Sequence, residues 1–144
     1  MADRTSSSIV INAGRTEIMA VIADFPAYPG WAEGIKAAEP VSIGDDGRAE
    51  QVRFTLEAGP IKDTYELAYE WDDDEQVHWS LAVPGSMLSG MTGSYALEPT
   101  GEDTRVVYEL AVDIKIPMIG MFKRKAEKII IDAALKGLKR QVER

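Results

Sequence analysis

The chain has 144 residues, with 16 Lys and Arg against 24 Asp and Glu, one His and no Cys, for a formal net charge of -8. The length suits one domain with a real core, and a 45% hydrophobic share beside 28% charged residues suits a globular fold, neither disordered nor membrane-spanning. Absent cysteine excludes disulfides and thiolate chemistry, the lone His78 excludes His-rich metal sites, and net acidity speaks against nucleic acid as a partner.

The start, Met1 to Ser8, has no apolar signal core, and no run approaches the ~18 apolar residues that span a bilayer, so a cytoplasmic location is expected. Ile9-Val10-Ile11 is a short β-prone run that Gly14 breaks. Ile18, Val21 and Ile22 then fall at helical spacing behind Glu17. Pro26 and Pro29 forbid a long second helix, so a very short or broken one is expected before Trp31.

The period then changes to two. Val52, Phe54 and Leu56 form one apolar alternation; Tyr65, Leu67, Tyr69 and Trp71 form a second. Val77, Trp79, Leu81 and Val83 form a third, Tyr95 and Leu97 a fourth, and Val106, Tyr108, Leu110 and Val112 a fifth. Strands with one apolar and one mostly polar face build an antiparallel sheet wetted on one side. The separators Asp45-Asp46-Gly47, Gly59-Pro60, Asp72 to Glu75, Pro84-Gly85 and Pro99-Thr100-Gly101 are turn chemistry, suited to a hairpin meander. Pro84 to Gly93 carries Met87, Leu88 and Met91 among glycines, and reads either as a bulged strand start or as an adaptable mouth.

Pro117 opens a long helical segment whose apolar stripe runs Met118, Phe122, Ala126, Ile129, Ile130, Ala133, Ala134, Leu138 and Val142. Glu127 and most of the basic residues lie off that stripe. Charge is divided accordingly: residues 1–122 hold 8 basic and 21 acidic residues, net -13, and residues 123–144 hold 8 basic and 3 acidic, net +5. The basic face reads first as a solvated surface, and second as a transient contact with anionic lipid.

The order is therefore strand, helical hairpin, six strands, long helix, in a single domain over residues 1–144. One helix lying across a curved sheet leaves volume between them, lined by the inward phase of each strand. Candidate cavity residues are Trp31, then Phe54 and Leu56, then Tyr65, Leu67 and Tyr69. Trp79, Leu81, Met87, Met91, Tyr95 and Leu97 follow, with Tyr108, Leu110, Met118, Phe122 and Ile130 closing the set. Tyrosines suit a pocket that holds an apolar body and fixes one polar group. His78 falls in the outward phase, and Asp72 to Glu75 lacks the spacing of a calcium loop.

Several boxes in order carry a family resemblance: Ala13 and Asp24 around the first helix, Tyr28-Pro29-Gly30-Trp31, and Asp63-Thr64-Tyr65. Val77-His78-Trp79, Leu88 to Tyr95, Thr104 to Glu109, Ile116-Pro117-Met118 and Ala134 to Lys139 continue it. The chain resembles the START-like superfamily (SRPBCC) with the Bet v 1-type helix-grip fold, and within it the polyketide cyclase/dehydrase and ubiquinone-binding-protein branch. The resemblance implies an α+β domain with about seven antiparallel strands wrapped around a long C-terminal helix, and two short helices after the first strand. It implies a cavity for a lipid, isoprenoid quinone, sterol or polyketide.

Three functions stay open: carriage or sensing of a hydrophobic small molecule, a polyketide cyclase, aromatase or dehydratase, and a protein-interaction module. For the enzyme, Tyr65 and Tyr108 are the acid candidates; Arg53 is outward and Arg105 follows a turn, so no pocket arginine is expected. No cofactor and no metal are expected, and the chain is read as a monomer or small homo-oligomer.

Overall fold

A computed structural model describes residues 5–58, 61–115 and 120–144. Strand β1 (Thr5–Ile11) leads into helix α1 (Arg15–Ala23) and a 3-10 helix (Phe25–Gly30). Six strands follow: β2 (Ile35–Ile43), β3 (Ala49–Ala58), β4 (Ile61–Asp72), β5 (Gln76–Val83), β6 (Leu88–Thr100) and β7 (Asp103–Ile114). Helix α2 (Gly120–Val142) closes the chain. All seven strands join one antiparallel sheet in the order β1-β7-β6-β5-β4-β3-β2, a meander that places the first strand beside the last. This is the element order read from the sequence, in the α+β helix-grip architecture that the resemblance implies.

The five alternating runs all become strands. The sixth, β2, has no clean alternation, because it is an edge strand with Pro40 in it and three breaks in register against β3. An edge tolerates a residue that cannot donate to a ladder, and bulges shift the inward phase along the strand. The two prolines limit the second helix to one 3-10 segment, which packs on β2.

Helix α2 packs on β1, β7 and α1, so it covers one side of the sheet and leaves the β2–β5 side facing open volume. Its buried face differs from the apolar stripe read from the sequence. Leu138 is buried as the stripe has it, but so are Ile131 and Leu135, which the stripe leaves out, whereas Ile129 is 62% and Ile130 46% exposed. Glu127, assigned to the solvent face, is fully buried. The physical reason is a pair of donors that β7 and β1 bring to it: the Val112 N–H donates to Glu127 Oε2 at 2.8 Å, and the Thr5 hydroxyl donates to Oε1 at 2.6 Å. The burial of the carboxylate thus comes with two hydrogen bonds.

The acidic β4–β5 turn is more than a solvated link. Asp74 accepts from Arg48 at 2.6 Å and from Thr16 at 3.0 Å, which ties the turn to α1 and to the β2–β3 turn.

Candidate functional site: a cavity above an aromatic row

The inward faces of β4 to β7 are divided by a row of aromatic rings drawn from two neighbouring register lines. Tyr69 pairs with Trp79 and Trp79 with Gly93; one inward step along, Val77 pairs with Tyr95 and Tyr95 with Tyr108. Their rings touch in sequence, with centroids 5.8 Å apart for Tyr69–Trp79, 5.6 Å for Trp79–Tyr108 and 4.7 Å for Tyr95–Tyr108. Phe25 and Tyr28 of the 3-10 helix extend the row, Phe25 lying 4.9 Å from Tyr69. Gly93 makes the row possible: a Cβ there would sit 2.4 Å from the Trp79 indole, so only glycine lets that ring lie across β6.

On one side of the row, Ile11, Ile18, Met19, Ile22, Val77, Val106 and Leu138 are wholly buried. On the other side lies a cavity of about 690 Å³, within the range of small-molecule sites. Its walls are Phe54, Leu56, Tyr65 and Leu67 from β3 and β4, with Met87, Leu88 and Met91 opposite. Tyr108, Leu110, Val112 and Ile114 of β7 line it too, and Ile129, Ile130, Ala133 and Ala134 of α2 close it. The exposed lining residues Glu33, Lys36, Glu57, Ile129 and Ile130 mark its mouth.

Of the residues predicted to line a cavity, thirteen do: Trp31, Phe54, Leu56, Tyr65, Leu67, Tyr69, Trp79, Met87, Met91, Tyr95, Tyr108, Leu110 and Ile130. Leu97 and Leu81 do not. Leu97 has the inward phase, yet it pairs with Val106 beyond the aromatic row and is 3% exposed inside the closed core. Leu81 sits past the end of the β5–β6 ladder at Ser80↔Thr92, half-buried at the core's margin. Met118 lies outside the described residues, as does the Phe122 side chain. His78 is exposed on the outer face, and Arg53 there bonds Glu66 at 3.2 Å, so the outward assignments hold.

The cavity's polar groups are few. Tyr28 spends its hydroxyl on the Ile22 carbonyl. Among the described residues the hydroxyls of Tyr65, Tyr69, Tyr95 and Tyr108 have no protein partner. The single sealed, unpartnered side-chain atom among those residues is Trp31 Nε1, so the four hydroxyls are reached from the cavity. Burial pushes all four phenols well above the ordinary tyrosine range, and nearby charge or phenol neighbours add to the effect. They stay protonated and present O–H donors to whatever fills the space.

Asp63 is the acid that the sequence reading missed. It stands two residues before Tyr65, so extending the alternation backwards by one step puts it in the inward phase. Its carboxylate lines the cavity and is 7% exposed. It accepts from the N–H groups of Thr64, Ser86, Met87 and Leu88 at 2.8 to 3.2 Å, and from the Ser86 hydroxyl at 3.1 Å. Burial pushes its pKa up, but those bonds from Leu88, Ser86 and Met87 outweigh it and hold the carboxyl below the usual range. Gly85 fits because a Cβ there would lie 2.3 Å from the same carboxylate. Asp63 thus pins the start of β6 across the sheet, and a register shift between Leu88 and Gly90 completes the bulged strand start that the sequence offered as one reading. Met87 is held at the cavity wall by this arrangement.

The family model for polyketide cyclase/dehydrase and lipid transport matches residues 2–143. The chain belongs to that family. No curated protein sequence matches it. Among solved structures it is similar to a START superfamily protein from Mycobacterium smegmatis, at 24% identity and a TM-score of 0.90, over 97% of each chain. It is similar to a protein from Thermus thermophilus at 22% identity and a TM-score of 0.80, over 98% of this chain and 97% of that one. It is also similar to the Zhui aromatase/cyclase from Streptomyces sp. R1128, at 12% identity and a TM-score of 0.82, over 100% of this chain and 95% of that one. At these identities the likeness is one of fold, and the START-like helix-grip fold is established by it. Family and fold together indicate a hydrophobic-ligand-binding domain. Among the described residues no helix is long and apolar enough to cross a membrane.

Proposed function

We propose that the domain carries or senses a hydrophobic small molecule of the lipid, isoprenoid quinone or polyketide class, held between the sheet and α2 without being chemically changed. The observation that carries this reading is the cavity of about 690 Å³ above the aromatic row, apolar in its walls and dotted with four open phenol donors. An apolar body gains by leaving water there, and carbonyl or hydroxyl oxygens on it find O–H partners. Acid–base catalysis is less well served. Asp63, the buried carboxylate lining the cavity among the described residues, is engaged by five donors and held ionised, which makes it a weak base.

Saturable binding of N-phenylnaphthylamine, read by fluorescence and displaced by long-chain alcohols, tests the reading. One-to-one binding with displacement supports it, as does an apolar molecule recovered by organic extraction after native mass spectrometry. A protein that binds neither probe nor alcohol overturns it. A cyclase or dehydratase is the second reading, favoured by the family's description and by the open phenols. Its acids would be Tyr65 and Tyr108, and unchanged turnover in the double Tyr→Phe variant would remove them from that role.

A further inference from the structure

We infer that the cavity's occupant carries an acidic head group, a carboxylate, that sits at the mouth against Lys36, with its apolar body running inward to the phenols. This rests on the cavity-binding reading above and names the ligand class for it.

Lys36 is placed by a defect in a strand. Ile35 pairs with Leu56 and Ala37 with Thr55, so Lys36 is the extra residue of a β-bulge. In a regular strand neighbouring side chains point to opposite faces, yet Ile35 and Lys36 both line the cavity. A bulge re-aims one side chain in this way, and such defects recur beside binding sites. The bulge is supported from the left-handed Gly34 (φ 88°), whose carbonyl accepts from the Glu57 N–H at 2.8 Å.

The charges around the mouth leave Lys36 for a ligand. Among the described lining residues it is the sole cation, beside Glu33, Glu57 and Asp63. Asp63 is satisfied by its N–H and hydroxyl donors, and Glu57 lies 4.0 Å from Lys62 on the adjacent strand. Lys36 has no carboxylate partner among the described residues. A carboxylate deep among the phenols would lose its hydration with no cation beside it, whereas one at Lys36 keeps contact with water and gains an ion pair. Glu33 is the remaining uncompensated acid, and it opposes the pair from one side.

Displacement of N-phenylnaphthylamine by a long-chain fatty acid and by its methyl ester measures the head-group preference directly. The wild-type protein is expected to favour the acid by about fivefold, the size of an exposed ion pair. Lys36→Gln abolishes the preference and leaves ester affinity unchanged, Lys36→Arg retains it, and Glu33→Gln increases it. Lys36 is exposed, so these variants fold. Equal affinity for acid and ester in the wild type overturns the inference while leaving cavity binding intact. So does a Lys36→Gln variant that weakens both alike. Binding of neither ligand overturns the cavity reading itself, and this inference with it.

Discussion

The two sides of the aromatic row are made from the same strands in the same inward phase, yet they do opposite things with apolar surface. Below the row, Ile11, Ile18, Ile22, Val77 and Val106 are removed from water completely by α1 and the end of α2. Above it, Leu56, Met91, Ile114 and Ala134 are only partly buried, and Ile129 and Ile130 stay exposed while lining the cavity. The closed side converts burial into stability. The open side leaves burial incomplete, which is the condition for a ligand to gain by completing it. The polar chemistry divides in the same way. Below the row, Thr104 spends its hydroxyl on the Ala13 carbonyl, and in the row Tyr28 spends its own on the Ile22 carbonyl. The phenols of Tyr65, Tyr69, Tyr95 and Tyr108 are left open to the cavity.

This contrast makes graded predictions. The largest effect is expected below the row: Ile22→Ala should cost about 3 kcal/mol in denaturant unfolding, through lost transfer energy and a rigid void. A loss under about 1 kcal/mol would mean that the closed side is not the source of stability.

Asp63→Asn should cost less, about 1.5 kcal/mol, because the amide keeps one acceptor but loses charge-assisted bonds to the Pro84–Leu88 segment. The pH dependence has a fixed sign. The folded pKa of Asp63 is lowered, so its contribution is present above the unfolded carboxylate value of about 3.9 and is lost as pH falls through the folded value. Wild type should therefore lose stability more steeply than Asp63→Asn as the pH drops below about 4. Parallel acid profiles for the two proteins would remove Asp63 as an electrostatic anchor.

The smallest effect is expected at the open side, where Met91→Ala should change unfolding by less than about 1 kcal/mol, since Met91 already borders empty volume. A loss equal to that of Ile22→Ala would show that the two sides are one continuous core.

The fold was largely legible in the sequence. Five alternating runs, turn residues between them and a final amphipathic stretch specify a meander with a helix across it. The edge strand β2 was legible only by count, since Pro40 and its bulges erase the period. The site was legible as a phase but not as a place. Leu97 and Tyr95 share a face, yet one packs in the closed core and the other borders the cavity. Glu127 and Lys36 were beyond local reading. The burial of the first depends on donors that two strands, β7 and β1, bring to its carboxylate, and the direction of the second depends on a register break against β3.

By itself, the sequence determined which side of the five alternating strands faces inward, because a period of two is a local property of the chain. It also placed the net charge of +5 on the last 22 residues, a segment that forms the wall of a cavity. Only the tertiary structure decided where along those inward faces the core ends and the cavity begins. That boundary is set by how far α1 and the 3-10 helix reach along the inward face of the sheet and by how α2 is rotated against that same face. Both are long-range packing outcomes that no window of sequence contains.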